Sequence, residues 1–206
     1  MILEIILVIV CSYLIGSIPT SVWVGKSFFN TDVREHGSKN AGATNTFRVL
    51  GKKAGSVVLI IDIIKGWCAV SVVHLIVSSG YNAEIDAGFT ISAGVCAILG
   101  HIFPIFAQFN GGKGVATSLG VIIAVHPLTA LVCFCLFLVT FLLSHYVSLG
   151  AIVAAIAFPL VLAFIFKVDT LVLLLFASVM SVIVLFTHRK NIERLLNREE
   201  SKMYLK

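Results

Sequence analysis

Charge is what this sequence has least of. Only 12% of its 206 residues are Asp, Glu, Lys or Arg, where an ordinary soluble domain has about a quarter. The chain is 59% hydrophobic with a mean hydropathy of +1.05. One water-soluble core cannot hide that much apolar surface, so an ordinary soluble domain is excluded and the bilayer is the fitting solvent. No basic stretch precedes the first apolar run, which carries only Glu4, and no small-residue cleavage site follows it. Residues 2–22 are therefore expected to be a retained first span rather than a cleaved signal peptide. The five cysteines are odd in number, lie in apolar stretches and lack metal-finger spacing, so they read as small buried hydrophobes. No metal site and no cofactor are expected. A net charge of +5 and a pI of about 9.0 often hint at nucleic acid. Here the charges sit in short segments between apolar runs, membrane topology accounts for them, and no nucleic-acid partner is expected.

What is present is a series of apolar runs, at 2–22, 54–77, 88–106, 115–125, 128–143, 149–166 and 170–186. They predict an all-α integral membrane protein, a single polytopic domain over residues 1–206, with about seven transmembrane helices, some shorter than the roughly 20 residues of a full crossing. The run 115–125 is the shortest. The break at His126-Pro127 reads as a tight turn between two short helices, which gives seven spans; a kink in one longer helix and a count of five or six spans are the alternatives. Of the 15 Lys and Arg, seven spans place six in 26–53, Lys113, and six in the tail after Phe186 on one side. Lys167 alone lies on the other side, and Lys65 lies within a span. The positive-inside rule then predicts an outside N-terminus, a cytoplasmic C-terminus, cytoplasmic loops 26–53, 108–114 and 144–148, and a cytoplasmic tail 187–206.

Four polar segments carry the chemistry. Asp32 to Arg48 is too polar to span and rich in Gly, Ser, Asn and Thr. Small residues let backbone N–H groups approach an anion, Ser38, Asn40, Thr44 and Asn45 add side-chain donors, and Arg34, Lys39 and Arg48 add charge; together they suit phosphate. A hydrated loop kept basic by topology would explain the charges but not the run Gly37-Ser-x-Asn-x-Gly-Ala-Thr-Asn45. The second segment holds Gly111-Gly-Lys-Gly114. It is only a fragment of a P-loop, because Val115 follows and no strand precedes. Glycines at a helix start still expose N–H groups, and Lys113 supplies a point charge for an anion; a flexible turn is the alternative. His101 nearby closes a span and is equally well structural. In the third segment Ser144, His145, Tyr146 and Ser148 interrupt long apolar runs, which a short polar turn would also explain. In the fourth, His188 and Asn191 share a helix face at i and i+3 and can point at a substrate; an amphipathic tail on anionic headgroups is the alternative. Asp62 and Lys65, three apart within a span, read as a structural ion pair near its cytoplasmic end.

The stretches Gly16-Ser-Ile-Pro19, Gly37-Ser-x-Asn-x-Gly-Ala-Thr-Asn-x-x-Arg48, Asp62-x-x-Lys-Gly66, Gly100-His-x-Phe-Pro104, Gly111-Gly-Lys-Gly-Val-Ala-Thr117 and His188-x-x-Asn-Ile-x-Arg-Leu-Leu196 together resemble the PlsY family of bacterial acyl-phosphate-dependent glycerol-3-phosphate acyltransferases. The likeness runs through nearly the whole chain, with the motifs in the family's order. It implies transfer of an acyl group from acyl phosphate to the 1-hydroxyl of glycerol 3-phosphate, giving lysophosphatidic acid and phosphate, at the cytoplasmic face of a bacterial cell membrane. It implies a soluble phosphate acyltransferase as the partner that makes acyl phosphate, and membrane lipids as surroundings. By resemblance Ser38, Arg48, Lys113, His188 and Asn191 are the catalytic candidates. Gly37, Asn40, Thr44, Asn45, Gly111, Gly112, Gly114 and Ser148 are the substrate-binding ones. Lys39 stands where the family has glycine. A transporter would place its polar groups near the midplane, often in inverted repeats, whereas these lie at one face. An acyl-CoA-dependent enzyme of the soluble-site kind would carry His-x-x-x-x-Asp, which none of the six histidines matches. A membrane scaffold would not need the glycine-rich basic loops.

Overall fold

In the computed structural model residues 1–77 and 81–204 are described, and every regular element among them is helical. The integral membrane, all-α reading of the sequence holds. Five helices are long and apolar enough to cross a bilayer, at Ile2–Phe29, Ala43–Ile76, Glu84–Ala107, Pro127–Ser144 and Val147–Ile165; the bent pair Leu171–Thr187 and Arg189–Leu196 makes up to six. The run 115–125 forms a helix of only 11 residues, which at 1.5 Å per residue reaches roughly half of a hydrocarbon core about 30 Å thick. The helices cluster into two compact units, Met1–Val125 and His126–Lys206.

In the first unit the opening apolar run is two helices, α1 (Ile2–Gly16) and α2 (Thr20–Phe29). Pro19 lacks an N–H and disfavours helix at Ile18, so the chain breaks there and the Ile18 carbonyl becomes available. It accepts the Thr20 N–H at 3.0 Å and the Lys65 ammonium at 2.8 Å. α3 (Ala43–Ser71) is bent at Gly51, whose φ of 84° few other residues tolerate. The polar segment expected to be loop over 26–53 is therefore loop only between α2 and α3; its last third is the first turns of α3. The short α4 (Val73–Ile76), α5 (Ala83–Ile102) and α6 (Val115–Val125) complete the unit.

Small residues set the packing. A methyl group on Gly16 would overlap the Ala97 carbonyl, and one on Gly100 the Tyr13 carbonyl, so α1 and α5 touch backbone to backbone. The same reciprocal arrangement joins α3 and α6, where Gly66 meets the Thr117 carbonyl and Gly120 the Ile63 carbonyl. Small-residue contacts replace hydrophobic burial as the source of helix association in lipid, where tails are as apolar as leucine. Val8, Val58, Ala93, Ala97, Ile98 and Val121 fill the interior, while Ile2, Leu3, Ile6, Val57, Ile60, Ile64 and Trp67 face outward, as a lipid-bathed surface requires.

The second unit begins with the break the sequence marked. His126 leaves helical geometry, its Nδ1 accepts the Thr129 N–H at 3.2 Å, and Pro127 opens α7 (Pro127–Ser144), where a missing N–H costs nothing. His145 ends α7 in the left-handed region, and α8 (Val147–Leu160) follows. Pro159 removes one donor inside α8, and the next turn, Val161–Ile165, widens to π geometry. α9 (Leu171–Thr187) then meets α10 (Arg189–Leu196) at a 60° bend. α8 packs between α7 and α9, over buried Ala130, Cys133, Phe141, Phe158, Leu162, Phe176 and Met180.

Candidate active site

The first polar loop is held by its own asparagine. Asn45, in the first turns of α3, is 1% exposed. Its amide N–H groups donate to the carbonyls of Val33 at 2.7 Å and His36 at 3.1 Å, and its Oδ1 accepts the Ser38 N–H at 2.8 Å. Both donors are thus engaged by the loop, and Asn45 shapes the loop rather than offering an N–H outward. Gly37, with φ 57°, lies against that amide so closely that a side chain there would collide with Oδ1. Lys39 also takes the left-handed conformation, φ 58°, so the backbone shape that suits glycine persists with a lysine in place. The loop leaves the Ser38 side chain and Arg48 exposed and Asn40 and Thr44 half-buried.

Arg34, counted from the sequence among the phosphate-binding cations, is a strut. It meets both oxygens of Asp32, Nε to Oδ1 at 3.0 Å and the terminal nitrogen to Oδ2 at 2.7 Å, and it donates to the Ala107 carbonyl at 3.0 Å. That guanidinium holds the Asp32 carboxyl well below the usual carboxylate range, against the opposing effect of burial. With the bidentate pair holding the guanidinium, its bond to the Ala107 carbonyl ties the first loop to the turn before the second.

The second loop lies on the end of α5. Gly111 N–H donates to the Ile102 carbonyl at 3.2 Å and Gly112 N–H to the His101 carbonyl at 3.1 Å, so these two donors close the C-terminus of α5. Gly112 fits only because it lacks a side chain. A Cβ there would strike the His101 imidazole and stand 3.0 Å from the Ala41 carbonyl oxygen. Gly114, at φ 85°, then turns the chain into α6. Lys113 is half-buried between them. The two loops singled out in the sequence are thereby brought into contact at Ala41 and Gly112. Beside them opens a cleft of about 510 Å³, lined by Asp32, Arg34, Glu35, Lys39, Gln108, Asn110 and Gly111 among others.

The sequence and the fold match known proteins. The family model for glycerol-3-phosphate acyltransferase matches residues 6–198. The glycerol-3-phosphate acyltransferase of Listeria welshimeri is 44% identical over 203 residues, 98% of each chain. Glycerol-3-phosphate acyltransferase 2 of Bacillus anthracis is 46% identical over 198 residues, covering 96% of this chain and 98% of that one. The crystal structure of PlsY, an integral membrane glycerol 3-phosphate acyltransferase, in its glycerol 3-phosphate form superposes with a TM-score of 0.85 at 37% identity, covering 97% of this chain and 96% of the other. Its lysophosphatidic acid form gives 0.82 at 36% identity, covering 97% and 95%. The chain belongs to the PlsY family.

In this chain the remaining candidates lie in the second unit. His188 sits at the bend between α9 and α10, 3% exposed. Its Nδ1 is 2.8 Å from the Val184 carbonyl. A carbonyl only accepts, so Nδ1 carries a hydrogen. Asn191, 5% exposed, follows on α10, and its backbone N–H returns to the His188 carbonyl at 2.8 Å. The sequence missed Glu200. Its Oε1 accepts from Ser148 Oγ and Asn191 Nδ2, both at 2.7 Å, and its Oε2 from Arg194 Nε at 2.6 Å. Burial pushes the Glu200 carboxyl up, but these three donors outweigh it and hold it below its ordinary value. The tail thus folds back, and Met203 N–H reaches the His145 carbonyl at 2.8 Å. A lone glutamate in a charged tail carries no signal in one sequence, and Ser148 lies 52 residues away along the chain. Among the described residues no group of three or more His, Cys, Asp or Glu could hold a metal ion.

Proposed function

We propose that this membrane glycerol-3-phosphate acyltransferase takes its acyl group from an acyl phosphate and releases lysophosphatidic acid and inorganic phosphate. The observation that carries the reading is the junction at Ala41 and Gly112, where two glycine-rich loops bearing Ser38 and Lys113 close on one another, with Arg48 on the first turns of α3 that follow the first loop. Both substrates of such a reaction carry phosphate, and loops of this composition suit phosphate. The donor is a mixed anhydride with a good leaving group, so no covalent enzyme intermediate is needed. The glycerol hydroxyl oxygen attacks the carbonyl carbon, the bond from that carbon to the phosphate oxygen breaks, and a substrate phosphate takes the hydroxyl proton. Catalysis then rests on positioning and charge stabilisation.

The roles follow. Arg48 and Lys113 bind phosphate and stabilise charge at the leaving group. Ser38, His188 and Asn191 orient glycerol 3-phosphate and the reacting carbonyl. Gly37, Asn45, Gly111, Gly112 and Gly114 shape the loops, while Asn40, Thr44 and Ser148 complete the substrate-binding set. The site lies at the cytoplasmic face of a bacterial cell membrane, where the fatty chain stays among lipids, and a soluble phosphate acyltransferase supplies the donor.

Purified protein in lipid nanodiscs, given glycerol 3-phosphate with palmitoyl phosphate or with palmitoyl-CoA, tests this. Lysophosphatidic acid formed only from palmitoyl phosphate, with kcat/KM sharply reduced but measurable in Arg48→Ala and Lys113→Ala, is the expected result. Product from palmitoyl-CoA alone would overturn the donor assignment.

A further inference from the structure

Beneath the second loop lies a buried polar network that the reaction as described does not use. Asp62 on α3 is 1% exposed and Lys65, one turn on, 4%. Asp62 Oδ1 receives the Lys65 ammonium at 2.8 Å, the Thr20 hydroxyl at 3.0 Å and faces His101 Nδ1 at 3.7 Å. Lys65 also holds the Ile18 carbonyl at the α1–α2 break. Three helices, α2, α3 and α5, and the break before α2 therefore converge on one carboxylate. The sequence alone read Asp62 and Lys65 as a structural pair. A buried ion pair is weak as a stabiliser, since apolar groups of the same volume often do as well, and in a membrane it is costly. Its place is therefore informative.

That place is directly under Gly112. The His101 imidazole fills the space a Gly112 side chain would take, and the His101 backbone carbonyl accepts the Gly112 N–H. The same carbonyl would collide with a side chain on Gly111. His101 is thus a platform, with Asp62 behind it and the loop in front. We propose that Asp62 and His101 are positioning residues for the loop that carries Lys113: Asp62 fixes the tilt of the imidazole, and the imidazole fixes Gly112 and with it the lysine. Neither residue touches the reacting atoms. The inference rests on the reading of Lys113 as a phosphate ligand.

The test compares His101→Phe, Lys113→Ala and their double variant in nanodiscs, reading kcat, KM for glycerol 3-phosphate and for palmitoyl phosphate, and the thermal midpoint. His101→Phe keeps a ring against Gly112 but loses the polar Nδ1 that faces Asp62 at 3.7 Å. It is expected to raise, by about tenfold, the KM of the same substrate that Lys113→Ala affects, with little change in the thermal midpoint. The double variant should lose much less than the product of the two single losses, because both act through one lysine. Where His101→Phe fails to fold, Asp62→Asn combined with Lys65→Met removes the ion pair without stranding a charge and should show the same KM signature. Wild-type KM values in His101→Phe or in that variant, or multiplicative effects in the double variant, while Lys113→Ala alone raises KM, would overturn the positioning role and leave the phosphate reading intact. Unchanged kinetics in Lys113→Ala would overturn the phosphate reading and this inference with it.

Discussion

The side-chain oxygen of Asn45 accepts the backbone N–H of Ser38 at 2.8 Å, seven residues back along the chain. One helix residue thus sets where the exposed serine stands. Asn45→Asp is the informative substitution. It keeps an acceptor for Ser38 but places a second oxygen against the Val33 and His36 carbonyls, which now receive an N–H. Each lost bond is worth about 1 kcal/mol, and stranded buried groups cost more. Asn45→Asp is expected to cut kcat/KM by at least about tenfold and to be no better than Asn45→Ala; steady-state kinetics in nanodiscs checks this.

Lys39 gives a prediction of opposite sign. At φ 58° its backbone is strained, by about 1–2 kcal/mol for a residue with a Cβ, while glycine would give back part of that through its freer unfolded chain. Lys39→Gly is expected to stabilise the protein by up to about 1 kcal/mol, read as a higher thermal midpoint.

Lys65 and Asp62 should be coupled in stability. Lys65→Met alone leaves the Asp62 carboxylate buried and unpaired and is expected to cost about 3–5 kcal/mol. Adding Asp62→Asn should recover most of that loss, a non-additivity visible in denaturation of the single and double variants.

Much of this architecture is legible in one sequence, because the bilayer imposes long apolar runs and because His126 and Pro127 break helices by local chemistry alone, whereas the break at Pro19 lies inside a run expected to be one span. The two loops are legible too, since their small and basic residues are unexplained by spanning. Less legible is what each loop residue does. Arg34 has the charge of a phosphate ligand, yet its neighbour Asp32 and the distant Ala107 carbonyl engage it. Gly111 and Gly112 look like anion donors, yet the last carbonyls of α5 take their N–H groups. The bend at Gly51 is silent because a single glycine in a helix is ordinary in sequence and decisive only when its φ is known.

Glu200 makes stability depend on pH. Its carboxyl is held below the ordinary value of 4.5 by Ser148, Asn191 and Arg194. A depressed folded value means its stabilisation is full above 4.5 and is lost as pH falls through the lower folded value. Glu200→Gln lacks that charge. Its thermal midpoint should lie below the wild type at neutral pH, and the gap should close in acid; a gap that stays constant with pH would contradict the assignment.

The reciprocal glycines of α1 with α5 and of α3 with α6 bear on how a fatty tail is accommodated. Where two helices meet backbone to backbone, no crevice remains between them for a hydrocarbon chain to thread. Neither seam can serve as a molecular ruler. These two seams therefore discriminate acyl lengths no more than the surrounding bilayer does.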